Sequence, residues 1–177
     1  MLRNSSDSIG VTTIFVAYHT TGNTRANQRL TEITMDLATF KAAFKGDVVT
    51  PGDADFDQAI ARWAKNAARK AAVVAFVKDA EDVSLAIKYA KEAKLTIAIK
   101  CGGHNASGAS SAEGGLVIDL SRYLNGVTVD AEKKLGYVGG GAIWETVDQT
   151  AIAHGLATVG GTVNHVCVLD RLDLWLH

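Results

Sequence analysis

Between Glu32 and Phe44, the apolar residues Ile33, Leu37, Phe40 and Phe44 recur at three- and four-residue intervals. That spacing places them on one face of an α-helix, which Gly46 ends. Pro51 follows a short extended piece and marks a turn. The run 55–71 predicts a second helix with Phe56, Ile60 and Trp63 inward. Residues 72–77, AVVAFV, are apolar without alternation, as in a strand buried on both faces. Asp79, with Asp82 three residues later, forms a helix N-cap pattern. The helix it opens should bury Val83, Ile87 and Ala90 and expose Lys88, Lys91 and Glu92. LTIAIK, 95–100, reads as the next strand. Strand, helix and strand in this order imply parallel pairing through a right-handed crossover.

After Gly115 the periods shorten. LVIDL, GVTVDAEKK and LGYVGGG read as short strands, the last two as a hairpin around Ala131–Lys134. The run 142–155 predicts a helix with Ile143, Val147 and Ile152 inward and Gly155 as its C-terminal stop. Residues 156–169 return to extended, glycine-broken chain. The expected class is α+β, a small parallel β-α-β unit joined to an antiparallel sheet-and-helix unit. Residues 1–31 are polar and aperiodic, and read as a poorly ordered extension.

With 177 residues, 47% of them apolar, the chain has the material for about one domain with a sizeable core. The net charge is −1 and the basic residues are scattered, which argues against nucleic acid or an anionic membrane as the main partner. No run approaches the roughly eighteen apolar residues of a membrane span. Residues 9–18 have the length of a short signal core, yet only Arg3 precedes them, offset by Asp7, and no small-x-small cleavage site follows. A cytoplasmic location is expected, with secretion the weaker alternative. Cys101 and Cys167 fit neither a disulfide framework nor a metal knuckle, so both are expected as reduced thiols. The five histidines, His19, His104, His154, His165 and His177, are too dispersed for a metal site by spacing. There is no P-loop, no G-x-G-x-x-G after the first strand and no G-x-S-x-G elbow.

The residues with most chemical promise are CGGHN, 101–105. Glycines at 102 and 103 lack a Cβ and adopt positive φ readily, so successive N–H groups can converge on the oxygens of a phosphate. His104 would stand at the rim. On these residues alone, an ordinary turn with a structural histidine stays open, as does a flavin-independent nucleotide-binding module.

Four segments in order, KCGGHN, VIDLSRYLNGVTVD, VGGGAIWETVD and GLATVGGTVNH, sharpen the choice. From about Phe44 to His165 the chain resembles the FAD-linked oxidases with a vanillyl-alcohol-oxidase (PCMH-type) FAD-binding domain, in the branch of berberine-bridge and hydroxynicotine oxidases. The resemblance implies FAD as cofactor, its pyrophosphate held by backbone amides of Gly102, Gly103, His104, Asn105, Ala106, Ser107 and Gly108. It implies His104 as the covalent link to the flavin 8α-methyl carbon, and Val159, Gly160, Gly161 and Thr162 as a second cofactor-binding segment. The cysteine that forms a second link in some relatives corresponds here to Val163, so a singly attached flavin is expected. Cys167 falls where the family has a glycine, and Cys101 is read as a packing residue.

The family reaction is oxidation of a C–H bond in an alcohol, amine or sugar-like small molecule, with hydride passing to flavin N5 and O2 as usual acceptor. The family's base lies in a substrate domain, so no catalytic residue and no metal site are assigned. Asp119, Glu145 and Asp148 are read as solvated faces or caps. Residues 32–166 are thus expected to form an incomplete FAD-binding domain. Residues 167–177, VCVLDRLDLWLH from Val166 on, stand where the resemblance implies a glycine-rich run, and codons can be chosen for Arg171–Trp175 that read Gly-Leu-Thr-Phe-Gly after a one-base shift, so an out-of-frame tail is expected. A non-catalytic FAD-binding fragment is the alternative to an oxidase.

Overall fold

The computed structural model describes residues 35–168. The expected extension over 1–31, and all but the first two residues of the 167–177 tail, lie outside them. The first helix, α1 (Leu37–Ala43), opens at Asp36, whose carboxylate accepts the Thr39 N–H at 2.7 Å. Phe40 and Phe44 are buried as the spacing predicts; Ile33 lies outside the described residues. Strand β1 (Asp47–Val49) is the extended piece before Pro51. Gly46 precedes it because a Cβ there would lie 1.8 Å from the Phe76 carbonyl oxygen.

The expected long helix over 55–71 breaks up. It forms only α2 (Phe56–Ile60), turns extended at Ala61, and adds a single 3-10 turn at Lys65–Ala67. Tertiary bonding outcompetes helical periodicity here: the Trp63 N–H donates to the Gly103 carbonyl at 3.2 Å, and Trp63 is 67% exposed rather than inward.

Strand β2 (Val73–Phe76), helix α3 (Ala80–Glu92) and strand β3 (Ile97–Lys100) follow as read. Strands β2 and β3 do not pair directly. Strand β4 (Leu116–Asp119) lies between them, giving the order β1-β2-β4-β3, with β1 antiparallel and the others parallel. LVIDL therefore belongs to the parallel sheet. Every residue of β2 and β4 is buried, which accounts for their unbroken apolar runs. Val73, Ala75, Val77, Leu116 and Ile118 face α1 and α3, whereas Val74, Phe76, Ala98 and Val117 face Phe56, Ala59 and Ala71.

Asp79 caps α3, accepting the Glu81 and Asp82 N–H groups at 2.9 and 3.0 Å. Asp82 is itself buried and accepts N–H bonds from Lys45, Gly46 and Lys78. The inward stripe of α3 is Asp82, Ala86, Tyr89 and Ala90. Tyr89 stacks on Phe40 with ring centres 4.4 Å apart, and this rotation leaves Ile87 40% exposed, contrary to its expected burial.

Strands β5 (Val127–Asp130) and β6 (Leu135–Val138) form the expected hairpin. Helix α4 (Trp144–Ile152) buries Trp144, Val147 and Ala151. Ile143 is its half-buried N-cap and Ile152 points outward at 68% exposure, correcting the expected stripe. Gly155, at φ +67°, closes the helix. The architecture is α+β.

Candidate functional site

The turn after β3 is built on its own asparagine. Asn105 Oδ1 accepts the Ser107 N–H at 2.9 Å, the Ser107 hydroxyl at 2.6 Å and the Ala109 N–H at 3.3 Å. The Asn105 carbonyl takes the Gly108 N–H at 3.2 Å. The N–H groups of Ser107 and Gly108 are thereby engaged inside the loop. Those of Gly102, Gly103, Asn105 and Ala106 donate to no acceptor among the described residues. Gly103 at φ +70° and Gly108 at φ +85° hold conformations that a side chain would strain.

Two cations support this turn from beneath. A Cβ on Gly103 would lie 3.1 Å from Arg62 Cδ and 3.4 Å from Lys100 Cε. The buried Arg62 guanidinium donates to the Ser110 carbonyl from Nε at 3.2 Å and Nη2 at 2.6 Å, and to Ala61 O at 2.8 Å. Burial lowers its pKa, and the field of Asp119 opposes that shift. Lys100 Nζ meets Asp119 Oδ2 at 2.7 Å. Asp119 is fully buried and also accepts the Ser121 N–H and hydroxyl at 2.9 and 2.6 Å, so, of the expected solvated face or cap, it is a buried cap of the turn after β4. Glu145 and Asp148 are exposed, as read.

The second glycine segment is shaped by an indole. A Cβ on Gly160 would lie 2.8 Å from the Trp144 ring, and one on Gly161 2.7 Å from Trp144 Nε1. Glycine is required there because the buried Trp144 occupies the space. The Trp144 and Glu145 N–H groups bond the Val166 and Asn164 carbonyls at 3.1 and 2.8 Å, tying the segment to the start of α4. The N–H groups of Val159, Gly160, Gly161 and Thr162 donate to no acceptor among the described residues.

A disulfide between Cys101 and Cys167, Cα atoms 6.2 Å apart, joins the two glycine segments. This corrects the expectation of reduced thiols: residues 66 positions apart meet through tertiary packing that their spacing does not reveal. The same packing brings the His165 ring to 5.1 Å from that of half-buried His104, with Trp63 at 6.3 Å on centroids. The sequence marked none of His165, Trp63, Arg62 and Lys100 as a site residue: Trp63 read as core, His165 as one of five dispersed histidines. The visible signal for the two cations was a lone charge beside an apolar run.

No group of three or more His, Cys, Asp or Glu among the described residues is arranged to hold a metal ion. No helix among them is long and apolar enough to cross a membrane. A groove of about 600 Å³ lies along β1, but its Arg122–Asp47 and Lys41–Asp53 pairs, at 2.7 and 3.6 Å, satisfy one another. The two glycine segments instead offer unengaged backbone donors, the first of them against Arg62 and Lys100 and beside an imidazole. A diphosphate fits that donor set, because amide nests bind its oxygens and the underlying cations favour its charge.

Residues 71–169 match the model of a family described as FAD binding domain. The chain is 32% identical to (R)-6-hydroxynicotine oxidase of Paenarthrobacter nicotinovorans over 119 residues, 67% of this chain and 26% of the relative. It is 34% identical to the FAD-linked oxidoreductase pgmH of Aspergillus terreus over 133 residues, 73% of this chain and 27% of the relative. Among solved structures, 6-hydroxy-D-nicotine oxidase from Arthrobacter nicotinovorans superposes with a TM-score of 0.68 at 31% identity, covering 71% of this chain and 27% of that one. A BBE-like protein of Physcomitrella patens shares the fold, with a TM-score of 0.69 at 19% identity over 77% of this chain and 30% of that one. The chain thus spans about a quarter of the length of the curated relatives it matches.

Proposed function

The chain belongs to the FAD binding domain family of FAD-linked oxidoreductases, and from that premise we propose that its two glycine segments hold FAD, with His104 as the covalent tether. The carrying observation is the set of N–H groups at Gly102, Gly103, Asn105 and Ala106 that meet no protein acceptor among the described residues. Those amides would take the pyrophosphate, and Val159, Gly160, Gly161 and Thr162 would supply a second row of donors. His104 stands within the first row, half-buried with the Trp63 and His165 rings 6.3 and 5.1 Å away, and would carry the flavin through the 8α-methyl carbon. Val163 occupies the position of a second anchor in some relatives and has no nucleophile, so the attachment is single.

When bound, FAD accepts hydride from a C–H donor and passes the electrons on, with O2 the acceptor we infer. The residues described here bind and orient; none is assigned to the chemistry of an alcohol, amine or sugar-like substrate. A second reading, an FAD-binding module without turnover, is favoured by the open apolar flank of β6 and α4, where Leu135, Tyr137 and Ile152 are 49%, 60% and 68% exposed.

Acid denaturation of the purified chain tests the tether. Yellow colour should stay with the protein and be lost in His104→Ala. Colour that washes out of the wild type contradicts covalent attachment, and a chain that takes up no FAD contradicts the reading as a whole. Peroxide formation, assayed against candidate alcohols, amines and sugars, separates the oxidase from the module.

A further inference from the structure

We propose that Arg69 is a further residue of the dinucleotide site, supplying the cationic side chain that faces the diphosphate beside the 102–108 turn. The inference rests on the FAD-binding reading and names a residue that reading does not contain. Of the three cations around the turn, two are committed elsewhere. Arg62 spends its guanidinium on the carbonyls of Ser110, Ala61 and Ala59. Lys100 is paired to buried Asp119.

Arg69 has no hydrogen bond or ion pair among the described residues and is exposed to solvent. Its guanidinium nevertheless has a definite place. A Cβ on Gly108 would lie 3.0 Å from Arg69 Nη2 and 3.4 Å from both Cζ and Nε, so the guanidinium lies against the glycine. Gly108 at φ +85° leaves that face open, and any side chain there would displace the guanidinium.

The backbone beside Arg69 is fixed from two directions. The Lys70 N–H donates to Glu113 Oε2 at 3.1 Å, and the Lys70 carbonyl accepts the Gly114 N–H at 2.8 Å. Asn66 Nδ2 reaches the Ala106 carbonyl at 3.5 Å on the same loop. Asn66 and Arg69 thus border the 106–108 end of the turn, and the five-donor fork lies against Gly108, next along the chain from the unengaged N–H groups of Asn105 and Ala106. Guanidinium is suited to this task because its fork matches phosphate oxygens two at a time.

Equilibrium titration of the full chain with FAD, ADP and riboflavin, each at several salt concentrations, tests the assignment. Arg69→Gln should weaken FAD and ADP binding about tenfold to a hundredfold, the range for losing a charge-assisted hydrogen bond to phosphate. It should leave riboflavin, which has no phosphate, unchanged, and should flatten the dependence of affinity on salt. Arg69→Lys should recover part of the loss, because it restores charge but not the fork. Circular dichroism and melting temperature, unchanged in both variants, would exclude a folding defect. Wild-type affinity and salt dependence in Arg69→Gln would overturn the role of Arg69 alone. A wild-type chain that binds none of the three ligands would overturn the FAD reading, and this inference with it.

Discussion

The β1–β4 sheet and the β5–β6 hairpin with α4 solve the same problem to different degrees. In the sheet, β2 and β4 are buried along their whole length, and apolar clusters cover both faces. In the hairpin unit, all of β6 is exposed, and Tyr137 on β6 and Ile152 on α4 are more than half so. Each region carries one glycine segment. The 102–108 turn rises from a closed core over Arg62 and Lys100, whereas 159–163 leans on a single indole at the start of α4. Half of the candidate cofactor site is therefore carried by a closed core, and the other half depends on a less-covered unit and on the Cys101–Cys167 bond. For a site built from backbone amides, stability of the supporting element sets how much ordering the ligand must supply.

The sharpest way to break this contrast is to truncate one residue in each region. Phe40→Ala removes a fully buried ring that stacks on Tyr89, and should cost about 3–5 kcal/mol by denaturant unfolding. Ile152→Ala, on the exposed side of α4, should stay within about 0.5 kcal/mol. Comparable losses at both positions would contradict a closed sheet unit and an open hairpin unit.

The bond between the two regions comes next. Cys167→Ser frees a closed loop with a sequence separation of 66 and should cost about 2–4 kcal/mol under oxidising conditions. Reducing agent should lower the wild type to the same level and leave the variant unmoved. Indifference of the wild type to reductant would show that the Cys101–Cys167 bond does not stabilise the fold.

The smallest effect concerns Asp47 at the sheet edge. The Tyr123 hydroxyl, and then Arg122, hold its carboxyl below the ordinary 3.8. A depressed folded pKa gives stability that is fully present above the unfolded value and lost as pH falls through the folded one. Asp47→Asn should therefore flatten the acid limb of the stability curve below about pH 4, with the hairpin unaffected. An acid limb identical to wild type would show that the Tyr123–Asp47–Arg122 contacts do not persist in solution.

The legibility of the sequence follows the same division. Unbroken valine-rich runs gave the buried strands, and Asp79 with its neighbours gave the start of α3, because both signals are local. What failed was set by contacts between distant segments. The helix expected over 55–71 yields at Ala61 because the Trp63 N–H bonds to the Gly103 carbonyl and the Arg62 guanidinium to the Ser110 carbonyl. The parallel pairing of β2 with β3 was wrong by one strand because β4 enters between them. Ile87 and Ile152 lay on faces that rotated away once Tyr89 and Trp144 packed inward. At the site, the glycines and His104 were legible by motif. The cations beneath them, the His165 neighbour and the Cys101–Cys167 bond were not, since each joins elements far apart in the chain.

The central claim is that the amides of the first glycine segment receive the diphosphate of FAD. Titrating FAD into isotope-labelled chain while following amide resonances by NMR tests it at the atoms concerned. The account predicts that Gly102, Gly103, Asn105 and Ala106 shift most with FAD and with ADP, with little change for riboflavin. Binding that leaves those four amides unmoved, or that shifts them equally with riboflavin, would contradict it.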